Sequence, residues 1–323
     1  MYSKSIQDFL TKPKVVDWRF PDKDGFCERT LDCKQLAVKE VLRWREEKNL
    51  LPIFLNPFDC SHQNLQLRRS EPNFNLGWSL QTKHSIPKDK IIPEIQRYIS
   101  MNGYCLLFYR SFETTYSSYY KTHDIVHWSL IVNVDEEKLT LIDEAGHPSY
   151  FQGHMGQVGY DDFRSNWICD SNFGIGQVIK NELASTDWNS VCFELMRSSV
   201  KNMTTLGGLE NLKEFVATLQ GTSASTIVEY IETLEFDIHY FRRLRELWLL
   251  AVNRGSIPKP YVNPLWVEEL FYLCKCWSLI MGVLMKWKRQ PSKDYKKKLV
   301  DYVTQTYKNE ERFFLAMKQS LGV

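Results

Sequence analysis

The feature that most constrains this chain is a change of hydrophobic period about halfway along it. From about residue 183 to the end, apolar side chains recur at three- and four-residue spacings in long runs, at 194–202, 209–219, 226–253, 265–288 and 292–321. Gly207-Gly208, Gly221, Gly255 with Pro258 and Pro260, and Pro291 punctuate those runs. A 3.6-residue period sustained over that length cannot alternate across a sheet, so this half is expected to be all helix. The preceding half reads differently. A helix is predicted over 33–44 with Asp32 as N-cap, and a second over 90–101 closed by Asn102-Gly103. Between them lies a loop-rich stretch, 56–87, with Pro57, Pro72 and Gly77. Residues 104–109 read as a buried strand, 127–134 and 139–143 as a hairpin across 135–138, and 160–167 as the start of another helix. The expectation is an α+β first domain, 1–180, and an all-helical second, 181–323, with the boundary in or just after the Gly-rich 172–176 stretch and a cleft between them.

Composition narrows the classes of partner. Forty-one basic residues stand against 39 acidic ones, without the basic excess that nucleic-acid binders carry. No apolar run reaches the roughly 18 residues that a membrane span needs, and the longest, 277–285, falls well short. The start, Met1-Tyr-Ser-Lys-Ser-Ile-Gln, has no apolar leader core. Eight cysteines at irregular spacings do not form a disulfide framework. A cytoplasmic protein with reduced thiols is expected, contacting neither nucleic acid nor membrane. In that setting a cysteine motif points to catalysis or metal binding.

Cys33 opens the 33–44 helix, where unpaired first-turn amides and the macrodipole favour a thiolate and can also serve an oxyanion. A first-turn cysteine alone is commonly a small buried hydrophobe; the order of the later residues sharpens the reading. His127 begins one hairpin strand and Asp143 ends the next. The open ends of a hairpin bring such residues together, so the carboxylate can orient the imidazole and stabilise it once protonated. Side-chain parity sets a condition. With an even loop centred on Glu136-Glu137, Asp143 faces away from His127, and only an odd loop or a bulge restores them to one side. An irregularity in this hairpin is therefore predicted. Candidate catalytic residues are Cys33 as nucleophile, His127 as base and Asp143 as orienting group.

Rival features carry weaker signals. Cys27 is a second candidate nucleophile, without so good a helix behind it. Cys60-Ser-His62 offers two metal-type ligands but no partner pair, so no metal site is expected. Cys274-Lys-Cys276 lies in an apolar helical run and reads as core. His147 and His154 flank a turn after Asp143 and are candidates to line the site. Gly174-Ile-Gly176 lacks the third glycine and acidic partner of a nucleotide fingerprint. Phe241-Arg-Arg-Leu-Arg-Glu-Leu-Trp reads as a solvated arginine stripe.

Cysteine at a helix start, then histidine on a strand, then aspartate on a hairpin resembles the papain-like cysteine enzymes. More closely, the arrangement is similar to the butirosin biosynthesis protein H family. The residues that carry the likeness are Asp-Cys-Lys-Gln-Leu-Ala-Val-Lys-Glu-Val-Leu around Cys33, the Gly-led strand 103–109, the His127 strand, the Ile-Asp strand ending at Asp143, the polar helix 160–167 and a helical second half. The resemblance spans most of the chain. It implies a papain-like fold and acyl transfer from a carrier-protein thioester, through an acyl-cysteine, to an amine in natural-product biosynthesis. No cofactor is implied beyond the phosphopantetheine arm of an acyl or peptidyl carrier protein. The ten Lys and Arg against four Asp and Glu in 282–323 offer an acidic carrier a docking surface. No Gln or Asn precedes Cys33 in Gly25-Phe-Cys-Glu-Arg-Thr-Leu-Asp, so a backbone amide is the expected oxyanion donor. The same three residues could instead serve a thioesterase or peptidase that uses water. A non-catalytic module that binds a carrier or peptide is the other alternative.

Overall fold

The computed structural model describes residues 18–117, 119–143, 151–152, 155–184 and 187–322, with backbone alone at 151–152. In chain order the elements are α1 (Cys33–Trp44), α2 (Leu51–Phe54), β1 (Ser61–Gln63), β2 (Gln66–Arg68), β3 (Trp78–His84), α3 (Ile91–Asn102), β4 (Cys105–Arg110), β5 (Val126–Val134), β6 (Lys138–Ile142), β7 (Phe151–Gln152), β8 (Met155–Gly159), α4 (Tyr160–Ser165) and β9 (Gly174–Lys180). Then follow α5 (Trp188–Val200), α6 (Gly208–Gly221), α7 (Ala224–Glu229), α8 (Ile231–Asn253), α9 (Pro264–Arg289) and α10 (Lys296–Leu321). The chain divides into two compact units: Met1–Leu50 with Gly77–Leu183, and Leu51–Leu76 with Ala184–Val323. Mixed helix and sheet thus precede a helical C-terminal region.

In the first unit, α1 starts where the sequence places it. Asp32 Oδ1 accepts the Gln35 N–H at 2.8 Å, and Gln35 Oε1 accepts the Asp32 N–H at 3.2 Å, a reciprocal cap. Leu36, Ala37, Val38, Val41 and Leu42 are all buried, and α1 packs against β5. Each such leucine or valine contributes on the order of 1.5–3 kcal/mol. Lys39 on the same helix is also buried and donates to Asp22 at 2.8 Å, which ties the segment leading to Cys33 onto the helix. The seven-stranded sheet runs β3-β9-β4-β5-β6-β8-β7 and is antiparallel throughout. Ile91, Ile92, Ile95 and Tyr98 of α3 join Cys105, Leu107, Tyr109, Ile131, Leu139 and Leu141 of the sheet in one core. Gly103 closes α3 with a φ of 81°, as its sequence predicts.

The hairpin β5–β6 carries the predicted irregularity. Val134 pairs with Leu139 and Asn133 with Thr140, which corresponds to an even loop centred on Glu136-Glu137. Across Val132 the register shifts, so that Ile131 pairs with Leu141 and Leu130 with Ile142. Val132 is the extra residue of a bulge. Continuing the shifted register sets Asp143 opposite Ser129, on the face that His127 shares two residues away. Without the bulge, Asp143 would face Leu130 and point to the other side.

Two sequence expectations need correction, the loop-rich reading of 56–87 and the placement of Leu51–Leu76. The stretch at 172–176 leads into β9, whose Gly174 and Gly176 lie inside the sheet, paired with both β3 and β4, and the first unit ends just after that strand, at Leu183. Its glycines answer to close approach: a Cβ on Gly174 would lie 2.2 Å from Phe108 Cζ and 2.4 Å from the Lys83 carbonyl oxygen. The loop-rich stretch 56–87 also yields β1, β2 and β3.

The second correction concerns Leu51–Leu76, expected in the first domain but compact with the helical unit. The backbone of this segment explains why. Phe58 N–H donates to Ser199 Oγ at 3.0 Å, Asn211 donates to the Cys60 carbonyl at 3.1 Å, and Trp248 Nε1–H donates to the Asn56 carbonyl at 2.9 Å. Its buried polar groups thus find partners on α5, α6 and α8. Phe58 sits among Trp248, Phe313 and Phe314, with ring centroids 5.5–5.6 Å apart. Long helices α8, α9 and α10 pack successively. The arginine stripe on α8 is not solvated at Arg245, which is wholly buried and bonds Glu310 of α10 at 2.9 Å. It also lies 4.9–5.4 Å from the rings of Phe58, Phe241 and Trp277. Among the described residues, no helix is long and apolar enough to cross a membrane.

Candidate active site

Cys33, His127 and Asp143 come together in the first unit. Cys33 is the first residue of α1 and half-buried, while His127 at the start of β5 and Asp143 just beyond β6 are 2% and 4% exposed. The cysteine is therefore the member of the three that solvent reaches. His127 Nε2–H donates to Asp143 Oδ1 at 2.5 Å. That contact commits Nε2, while the Cys33 sulfur is close enough to act on the ring. Burial pulls the His127 imidazolium down. The Asp143 carboxylate and the Cys33 sulfur, each by charge and by hydrogen bond, outweigh burial and hold it well above the usual histidine range. The arrangement is a proton acceptor beside a thiol with a fixed anion behind it, which is the geometry that nucleophilic catalysis requires.

No family model and no curated protein matches this sequence. The site therefore has to be read from its own chemistry.

Three side chains that sequence reading passed over shape the surroundings. Tyr109 O–H donates to Asp143 Oδ2 at 3.0 Å, and Ser129 O–H donates to the same oxygen at 2.6 Å. The two hydroxyl oxygens are 2.9 Å apart. The rings of Tyr109 and Tyr119 each meet the His127 ring edge-to-face, with centroids 5.6 Å away. A signal for Ser129 was available, since it is the polar residue two along from His127 in an otherwise apolar strand. Tyr109 had none, because it closes an apolar run and its pairing with His127 is a matter of strand order.

Asp32 precedes the nucleophile as expected. Its carboxylate is turned into the helix cap at the Gln35 N–H.

The rivals fall elsewhere. Cys27 is 1% exposed and sits in a turn where Thr30 Oγ1 accepts its N–H at 3.0 Å. Burial pushes the Cys60 thiol up to about 12, and His62 bonds the Asn64 carbonyl. Among the described residues, no group of three or more His, Cys, Asp or Glu is placed to hold a metal ion. Burial likewise pushes up the Cys274 thiol, and Asn309 donates to the Cys276 sulfur at 3.0 Å. His147 and His154 lie outside the described residues.

Proposed function

We propose that this protein is a cysteine-dependent acyltransferase, papain-like in its first unit, with Cys33 as nucleophile, His127 as base and Asp143 as the group that orients the base. The observation that carries the reading is the bond from His127 to Asp143, with Cys33 at the start of α1 near enough to interact with the same imidazole. In the first half-reaction, the Cys33 thiolate attacks a thioester carbonyl. The C–S bond of the donor breaks, and imidazolium His127 gives its proton to the departing thiolate. The acyl-Cys33 is then attacked by an amine. Neutral His127 takes the amine proton, an amide forms, and Cys33 leaves as thiolate, which restores the starting pair. The backbone N–H of Cys33, in the first turn of α1, is a donor for an oxyanion formed on its own acyl group.

The resemblance to the butirosin biosynthesis protein H family supports a donor presented on the phosphopantetheine arm of an acyl or peptidyl carrier protein and an amine acceptor, in a cytoplasmic setting. The test is intact-mass measurement after incubation with an acyl-loaded carrier. Wild type is expected to gain the acyl mass, and Cys33→Ala is expected not to. Equal labelling of the variant would overturn the assignment. Adding an amine should release amide; release of free acid alone would reassign the same three residues to a thioesterase or peptidase. Carrier binding with an unreactive Cys33 would make the protein a binding module.

A further inference from the structure

We propose that Tyr109 and Ser129 are positioning residues that hold the Asp143 carboxylate in the orientation that presents Oδ1 to His127 beside Cys33. This rests on the reading of Cys33 and His127 given above, yet it makes a claim of its own.

The geometry is specific to one oxygen. Asp143 Oδ1 faces His127, while Oδ2 receives both hydroxyls, at 3.0 Å from Tyr109 and 2.6 Å from Ser129. Tyr109 and Ser129 are both 0% exposed. A buried carboxylate without donors takes up a proton to escape its desolvation cost, and each hydrogen bond to its charged form opposes that. Two hydroxyls therefore do at Oδ2 what water would do at the surface. They also hold the plane of the carboxylate, with one oxygen on the two hydroxyls and the other on His127. An O–H at a wholly buried position is costly unless it is bonded, and Asp143 Oδ2 accepts from that of Ser129.

The tyrosine remains a donor across the working range. Burial and the Asp143 charge both push the Tyr109 phenol well above its ordinary value. Tyr116, which also feels Asp143, is shifted the same way. Among the described residues, the groups facing His127 include Cys33 from α1, Asp143 after β6, Tyr109 from β4, and Tyr119 from the connection between β4 and β5.

The full chain is titrated by following the His127 ring protons by NMR, in wild type, Tyr109→Phe, Ser129→Ala and the double variant. Each single variant keeps one donor and is expected to lower the imidazolium titration in part. The double variant is expected to lower it by about one unit or more, with about a tenfold slower alkylation of Cys33 by iodoacetamide at pH 7. A role in packing alone would lower thermal stability and leave the titration in place; an unmoved or raised titration overturns the proposal. Should the double variant not fold, Ser129→Ala decides, because it deletes a single buried oxygen. The nucleophile assignment is judged separately by whether Cys33→Ala loses the label, so the two ideas fail on different readouts.

Discussion

At the residue scale, eight thiols share one chain and differ in what surrounds them. Cys169 is exposed, whereas Cys33 is half-buried beside an imidazolium. Cys60 and Cys192 are both pushed up to about 12 by burial, and Cys105 is pushed up as well. Solvent access alone ranks Cys169 first. The His127 partnership ranks Cys33 first, because an imidazole beside a thiol can take its proton as the sulfur attacks. Brief alkylation of the native protein at pH 7, with peptide mapping, should label Cys33 ahead of Cys169 and leave Cys60, Cys105 and Cys192 unmodified. Cys169 labelling faster would remove the case for an activated Cys33. His127→Ala should bring Cys33 down to the rate of Cys169 or below.

At the element scale, the site depends on two departures from regular strand geometry. One is the bulge at Val132, which moves Asp143 onto the face of Ser129 and His127. The other is the tight seam between β9 and its neighbours β3 and β4, which holds β4 and hence Tyr109 in place. Gly174→Ala would put a methyl against Phe108 and the Lys83 carbonyl, and a loss of about 2–4 kcal/mol is expected because backbone cannot yield as a flexible side chain can. Gly282→Ala is the contrasting change. Gly282 lies in the interior of α9, and a Cβ there meets nothing within 4 Å. Replacing a helical glycine in open space should stabilise by about 0.5–1 kcal/mol. Urea denaturation of both variants checks the pair. A neutral Gly174→Ala would mean that the seam is looser than these distances.

At the scale of the whole molecule, each unit has its own kind of core. The first is aliphatic and aromatic side chains on a sheet, with a polar network of Tyr109, Ser129, His127 and Asp143 beside it. The second is helices around a buried ion pair. Arg245 of α8 bonds Glu310 of α10 at 2.9 Å, and Trp277 of α9 donates to the same Glu310 oxygen at 2.7 Å. Three helices thus converge on one carboxylate. Glu310→Gln leaves the Arg245 charge without a counter-ion and should cost about 3–5 kcal/mol, whereas Arg245→Met with Glu310→Met should cost much less. Denaturant melts of the two variants measure the difference. Equal losses would mean that the pair acts by shape and not by charge.

Read by itself, the sequence determined the elements whose information is local. The helix opening at Cys33 follows from Asp32 and the 3.6-residue period. The end of α3 follows from Gly103, and the helical second half follows from repeated three- and four-residue spacings. It also set the condition on the hairpin, because strand parity is arithmetic on residue numbers: an even loop requires a bulge if His127 and Asp143 are to meet. Tertiary structure decided the rest. Where the extra residue sits, which strand lies beside β5, and therefore that Tyr109 reaches Asp143, depend on pairings between segments far apart in the chain. The glycines at 174 and 176 concealed a strand, because their role is to admit neighbours that no local pattern names. Leu51–Leu76 joined the helical unit for the same reason, since the partners of its backbone lie more than a hundred residues downstream. Arg245 reads as a surface charge until Glu310 is placed against it. Periodicity records which face of an element is apolar. It does not record what that face, or a charge upon it, will meet.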